Sequence, residues 1–226
     1  MSLLLKIAAA SLLLTFFCSI VSCEGFAFLT QTFATQVDAK YKLSNKPTLV
    51  LVDDPQALLG DPSLERVLAT RVGFHLVQEG VVAEIISPDR VAELATKLGP
   101  GYVNAPLDQI GRAAGAEQVI NVYVEQTDFR VEEGTYRPGM LVRVKVVDAA
   151  TGHRLFPAAD ATASGDLTTS ANGYPVASQL FYKIGVGEGT DDVATAVRAV
   201  VERSGRDVSR LFYKYTPRQP GEKFDD

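Results

Sequence analysis

Hydrophobic and polar positions change period along the chain, and those changes divide it into elements. From Pro47 a short apolar run, Thr48-Leu49-Val50-Leu51-Val52, ends in Asp53-Asp54 and predicts a buried strand. Pro62-Ser63 opens a helical stripe of Leu64, Val67, Leu68, Val72, His75 and Leu76 that stops at Gly80. Residues 81–86 predict a second strand. Ser87-Pro88-Asp89 then starts another helix, with Ser87 at the N-cap and Pro88 at the first helical position. Gly99-Pro100-Gly101 ends it, and a shorter helix is expected from Pro106 to Ala114, closed by Gly115.

Beyond Gly115 the period falls to two. Ile120, Val122 and Val124 alternate with Asn121, Tyr123 and Glu125, and Met140, Val142, Val144 and Val146 alternate with Arg143 and Lys145. One face of each strand is therefore expected in the core and the other partly wet. A turn over residues 148–152 leads to a third strand at 153–156 and completes an antiparallel meander. Residues 157–189 are small, polar and glycine-rich apart from an apolar island at 176–184. Thr190-Asp191-Asp192 starts a last helix, with Val193, Val197, Val200, Val201, Val208, Leu211 and Phe212 along one stripe. Early strands alternate with helices and later ones form hairpins, so the expected fold class is α/β, a mixed, partly antiparallel sheet covered by helices.

The amino end follows a different rule. Residues 1–22 carry one charged side chain, Lys6, and residues 7–21 are mostly apolar. That run is shorter than the roughly 20 residues of a spanning helix and suits the apolar core of a signal peptide. Ile20, Ser22 and Cys23 resemble the lipobox of bacterial lipoproteins, in which the cysteine thiol receives a diacylglyceryl group before the signal is removed. The resemblance implies a lipid attachment at Cys23, with Ser22 small enough for the peptidase and Ile20 filling its pocket. Cys18 fits poorly, because Phe16 and Phe17 precede it. An uncleaved anchor and ordinary secretion are the alternatives; a Cys18–Cys23 disulfide would close a very small loop. Glu24 is not the aspartate linked to inner-membrane retention in some bacteria, which favours the outer membrane. The expected organisation is a signal peptide at 1–22, a lipidated cysteine and flexible tether at 23–45, a single α/β domain at 46–216 and a polar tail at 217–226.

Composition changes this picture little. With 22 Lys and Arg against 27 Asp and Glu, the chain of 226 residues has a formal charge of −5, and nothing favours nucleic acid or anionic lipid. At 46% hydrophobic residues it can bury a full core.

Candidate chemistry is sparse. His75 and His153 have no other ligands at metal spacing, so neither metal nor cofactor is expected. Asp53-Asp54 lies at the carboxyl end of a strand, where ligands of open α/β sheets often bind; a turn role is favoured, since Asp54 precedes Pro55 and such residues bond nearby backbone N–H groups. Gly185-Val186-Gly187-Glu188-Gly189 lacks phosphate-loop spacing, and Glu188, Asp191 and Asp192 would repel phosphate. No serine lies in a nucleophile elbow.

Two segments together resemble periplasmic α/β domains: Ala113-Ala114-Gly115-Ala116-Glu117-Gln118-Val119-Ile120, and residues 141–152 from Leu141 through Asp148 to Gly152. Such domains occur in curli secretion-channel lipoproteins, in outer-membrane lipoprotein activators of penicillin-binding proteins and at the amino end of TolB. Glu117 stands where that pattern has Asp, and residues 157–178 have no counterpart in it. Those families bind other envelope proteins, so the resemblance implies a non-enzymatic, lipid-anchored binder with a protein partner or self-association. Asp148 and Gly152 are expected to do turn work. The competing class is a small-ligand receptor or hydrolytic enzyme using Asp53-Asp54.

Overall fold

The structure is a computed structural model and describes residues 36–102, 104–132, 135–158, 173–181 and 190–217. The expected signal peptide at 1–22, with Cys18, and Cys23 and residues 24–35 lie outside the described residues. Contacts divide the chain into a main unit, residues 39–213, and a small one from the residues on either side. In the small unit Val37 pairs with Tyr215 as an isolated antiparallel bridge, and Lys214 Nζ lies 3.3 Å from Asp38 Oδ1.

The main unit is the expected mixed sheet covered by helices. Strand β1 (Thr48–Asp53) leads through helix α1 (Pro62–Gln78) to β2 (Ile85–Ile86), and α2 (Pro88–Leu98) and α3 (Leu107–Ala114) lead on to β3 (Gln118–Asp128). A small hairpin, β4 (Val131–Glu132) with β5 (Thr135–Tyr136), precedes β6 (Gly139–Asp148), β7 (Arg154–Phe156), β8 (Tyr174–Gln179) and α4 (Thr190–Ser209). The sheet order is β2-β1-β3-β6, with β7 and β8 both on the far edge of β6. β1 is parallel to β2 and β3, and the pairs beyond are antiparallel.

Alternation along the strands decides the two faces. Val50, Ile120, Val122, Val124, Val142, Val144 and Val146 point to one side and pack with Leu68, Val72 and Leu76 of α1 and Val201 and Val208 of α4. Leu49, Leu51 and Val119 point to the other and meet Ile110 and Ala114 of α3. Helices α1 and α4 run close because α4 carries Gly205: a Cβ there would stand 2.8 Å from Arg71 Cβ. The same pair is bridged by Arg71 Nη2 donating to Glu202 Oε2 at 2.6 Å.

Several elements depart from the expected pattern. The second strand shrinks from 81–86 to Ile85–Ile86, because the end of α1 takes Val81, whose N–H donates to Leu76 O at 2.8 Å, and Val82 turns into the core. The start of the apolar island expected at 176–184 belongs to the outer strand β8, which runs from Tyr174 to Gln179, and residues 182–184 lie outside the described residues. Asn121, expected on a wet face, is 1% exposed, since the helical layer covers the start of β3 and leaves Tyr123 and Glu125 beyond it. At Glu125 the β3–β6 register shifts, a bulge that lets the pairing continue from Gln126 opposite Leu141. Glu125 Oε2 accepts from Arg143 Nε at 2.7 Å.

The expected tether is corrected at its end. Residues 39–45 are docked on the main unit: Lys40 and Tyr41 donate backbone bonds to Leu211 O, and Leu43 is 5% exposed. Tyr41 stacks on Phe156 at 5.4 Å, and Gln118 Nε2 donates to Ser44 O at 2.7 Å. This segment lacks sequence periodicity because it anchors through single residues and forms no repeating face.

The docked segment yields the first prediction. Leu43→Ala is expected to cost about 2–5 kcal/mol, the range for truncating a buried leucine, read as a lower urea midpoint with unchanged slope. A tether residue would give no measurable loss.

Candidate functional site

Strand β1 ends where α1 has yet to begin, and Asp54 shapes the turn between them. Its Oδ1 accepts from the Leu58 N–H at 2.9 Å and its Oδ2 from the Leu59 N–H at 2.8 Å. Both carboxylate oxygens are therefore engaged locally, the turn role favoured by its place before Pro55. Leu59 is buried as a result, and the Leu58 carbonyl accepts from Thr127 Oγ1 at 3.1 Å, which ties the turn to β3. Asp61 then caps α1, accepting from the Ser63 N–H at 2.8 Å.

Asp53 has a different surrounding. It belongs to a groove of about 490 Å³ at the carboxyl end of β1, within the range of ordinary binding sites. The floor is β1 itself, Val50 to Asp53. One wall is the face of α1 that carries Pro62, Glu65, Arg66 and Ala69; the other is the face of α2 with Pro88, Val91, Ala92 and Ala95. Tyr102, Ala105, Leu107 and Ile110 close the inner side. Both helix faces follow the three-to-four residue spacing of a single stripe. Helix α2 buries none of its residues fully, because its apolar stripe borders this groove.

The groove carries three electrostatically linked acids at its mouth. The protein around the strand end raises the Asp53 carboxyl although the residue is exposed, with Lys145 opposing and the Asp54 charge adding to the rise. Burial raises Glu65, and Asp54 and Asp53 raise it further. Burial likewise raises the Tyr102 hydroxyl, reinforced by Asp53 and Glu65. Arg66, the cation in the wall, is directed to Asp89 at 3.4 Å.

The remaining candidates separate. His75 sits half-buried at the edge of the α1 stripe, edge-on to Phe74 at 5.4 Å. Burial lowers its pKa, and Arg206, Arg71 and Arg210 add to that, while Gln78 opposes. His153 is exposed in the turn before β7, and its carbonyl accepts from the Asp148 N–H at 2.9 Å. Residues 185–189 lie outside the described residues. Among the described residues no three His, Cys, Asp or Glu side chains are placed to hold a metal ion, and no helix is long and apolar enough to cross a membrane. Asp148 does the turn work expected of it: its Oδ1 accepts from the Ala150 and Thr151 N–H groups at 3.0 and 2.8 Å, and Gly152 takes φ +73°.

Sequence reasoning located Asp53 but missed Glu65, Tyr102 and the α2 wall. Glu65 reads as a first-turn helix acid, and only its position opposite the β1 edge makes it part of a groove.

No family model and no curated protein matches the chain. Solved structures similar to it include a PelC dodecamer from Paraburkholderia phytofirmans, at 12% identity over 79% of this chain and 96% of that one, TM-score 0.40. Lipoprotein GNA1162 from Neisseria meningitidis is similar at 11% identity over 71% and 99% of the two chains, TM-score 0.40. A minor lipoprotein from Acinetobacter baumannii is similar at 9% over 72% and 89%, TM-score 0.36. No residue role passes from them to this chain.

Glu65 gives the second prediction. A carboxyl whose folded pKa is raised favours the folded state at low pH and loses that contribution as pH rises through the raised value. Glu65→Gln removes the charged form, so it is expected to raise the melting temperature at pH 7 by about 1–2 °C after allowance for solvent screening. Below about pH 4, where the wild-type carboxyl is protonated, the two melting temperatures should coincide. A larger gap in acid than at neutrality would contradict the assignment.

Proposed function

We propose that the chain is a lipid-anchored protein of the bacterial cell envelope, with a diacylglyceryl group on Cys23 and an α/β domain that binds a protein partner without catalysis. Residues 1–22 act as the signal, and the residues from Cys23 to the bridge at Val37 act as the tether. The anchor holds the domain on the periplasmic side of the outer membrane. Support for the anchor is the context of Cys23, with Ile20 and Ser22 at the end of an apolar run that has one lysine and is too short to span.

The observation that carries the binding half is the groove along β1. It is open, walled largely by apolar side chains with Glu65 and Arg66 among them, and floored by a strand, which is a shape that recognises another chain. The acidic mouth and the formal charge of −5 argue against a nucleic acid.

Two measurements test the proposal. Thiol acylation precedes signal removal in the lipoprotein route, so Cys23→Ala should abolish incorporation of labelled fatty acid while Cys18→Ala retains it; label on the Cys23→Ala protein would refute the anchor. Affinity purification of the wild-type protein from native membranes should recover an envelope protein at a fixed ratio. Recovery of this chain alone would remove the partner.

A further inference from the structure

We propose that the groove receives an extended peptide segment of the partner, added to the sheet as a strand beside β1, with a lysine or arginine seated between Asp53 and Glu65. The inference rests on the partner-binding function above and specifies its site.

Four consecutive residues of β1, Val50 to Asp53, border the groove. Side chains of successive strand residues point to opposite faces, so a space that borders four in a row, and Asp54 and Pro55 after them, runs from the strand's edge round its carboxyl end. The register shows why the edge is open. β2 pairs with β1 at Thr48 and Leu49 alone, while β3 pairs with all six residues from Thr48 to Asp53. β2 ends at Ile86 because Ser87 caps α2, accepting from the Asp89 N–H at 3.2 Å, and Pro88 turns the chain into the helix.

Backbone direction is also determined. The Thr48 N–H donates toward β2, to Glu84 O at 3.1 Å. With a period of two, the Val50 carbonyl and both polar groups of Val52 face the same side, beyond the last β2 residue. Val50 is 2% exposed and Leu51 is buried, so the accessible part of this edge is its outer end, where an added strand would find both polar groups of half-buried Val52 beside exposed Asp53, with the Val50 carbonyl at the inner end of the groove. An open edge of this kind is a template for strand addition. Ala69 on one wall and Ala92 and Ala95 on the other leave room for its side chains on both faces.

Charge selects among peptides. Neither Asp53 nor Glu65 has an ion pair within 4.0 Å among the described residues, and Arg66 is engaged with Asp89. The Asp54 oxygens are occupied by the turn. A cationic side chain would favour the charged form of both carboxyls, which desolvation and then the Asp54 charge disfavour, whereas an acidic one would disfavour it further.

The test uses the full-length chain in detergent and a fluorescein-labelled hexapeptide of alternating valine and lysine, followed by anisotropy. Saturable binding is expected, with no binding of the valine–glutamate counterpart. N-methylation of alternate peptide nitrogens and the Glu65→Gln change should each weaken binding by about five- to tenfold. Ala92 is exposed, so Ala92→Trp should fill the groove without unfolding the domain and abolish binding. Glu65→Lys should shift preference toward the glutamate peptide, a gain that misfolding cannot produce. Absence of saturable binding, or binding indifferent to N-methylation or to Ala92→Trp, overturns the inference. So does purification from native membranes in which Ala92→Trp recovers the same partner as wild type; that result leaves partner binding intact and places it elsewhere. If the wild-type protein recovers no partner at all, the underlying function fails first.

Discussion

Strand β1 is hydrogen-bonded along its full length on one side and over two residues on the other, and the arrangement of the domain follows from that asymmetry. The complete β1–β3 pairing joins the parallel half of the sheet to the antiparallel meander. It also sets Val50, Ile120, Val122 and Val144 on one face, where α1 and α4 cover them. The short β1–β2 pairing sends the chain into α2 early and leaves a lane beside β1 that α1 and α2 flank but do not fill. An edge with its polar backbone groups turned outward is a liability in most sheets. Here it is recessed between two helices, which restricts access to something slender.

The two helical layers do different work. On the α1 and α4 side, valines from four strands pack with leucines under a close helix crossing that depends on Gly205. That side holds the larger core, and burial of this kind is the main favourable term in folding. On the other side α3 packs tightly, with Ile110 and Ala114 buried, while α2 buries nothing fully. The less committed layer is the one that borders the groove. Binding surfaces are commonly drawn from such weakly packed elements, since ordering them on contact disturbs little else.

Electrostatics at the mouth follow the same division. Asp54 and Asp61 are used by the backbone as turn and cap. Asp53 and Glu65 have no such use among the described residues; burial raises Glu65, and the protein around the strand end raises the exposed Asp53. Neighbouring carboxyls of similar sequence context thus acquire different roles from what their oxygens meet.

Much of the domain was legible in local pattern. The helix at 62–78, its stop at Gly80, the Ser87-Pro88 start, the alternating strands β3 and β6, and the Asp148–Gly152 turn all follow from short-range rules of periodicity, capping and φ preference that involve neighbours within a few residues. The turn role of Asp54 was legible for the same reason, because its partners lie at Leu58 and Leu59. Tertiary structure alone decided which polar positions are buried, as with Asn121, and that residues 39–45 dock through Leu43 and Tyr41. It also decided that β8 pairs with β6 across a long separation, and that Glu65 stands opposite the β1 edge. These outcomes depend on which surfaces the helical layers happen to cover and on pairings between distant segments. Local sequence carries the preferences of each element, whereas coverage and long-range register arise only when all the elements are packed together.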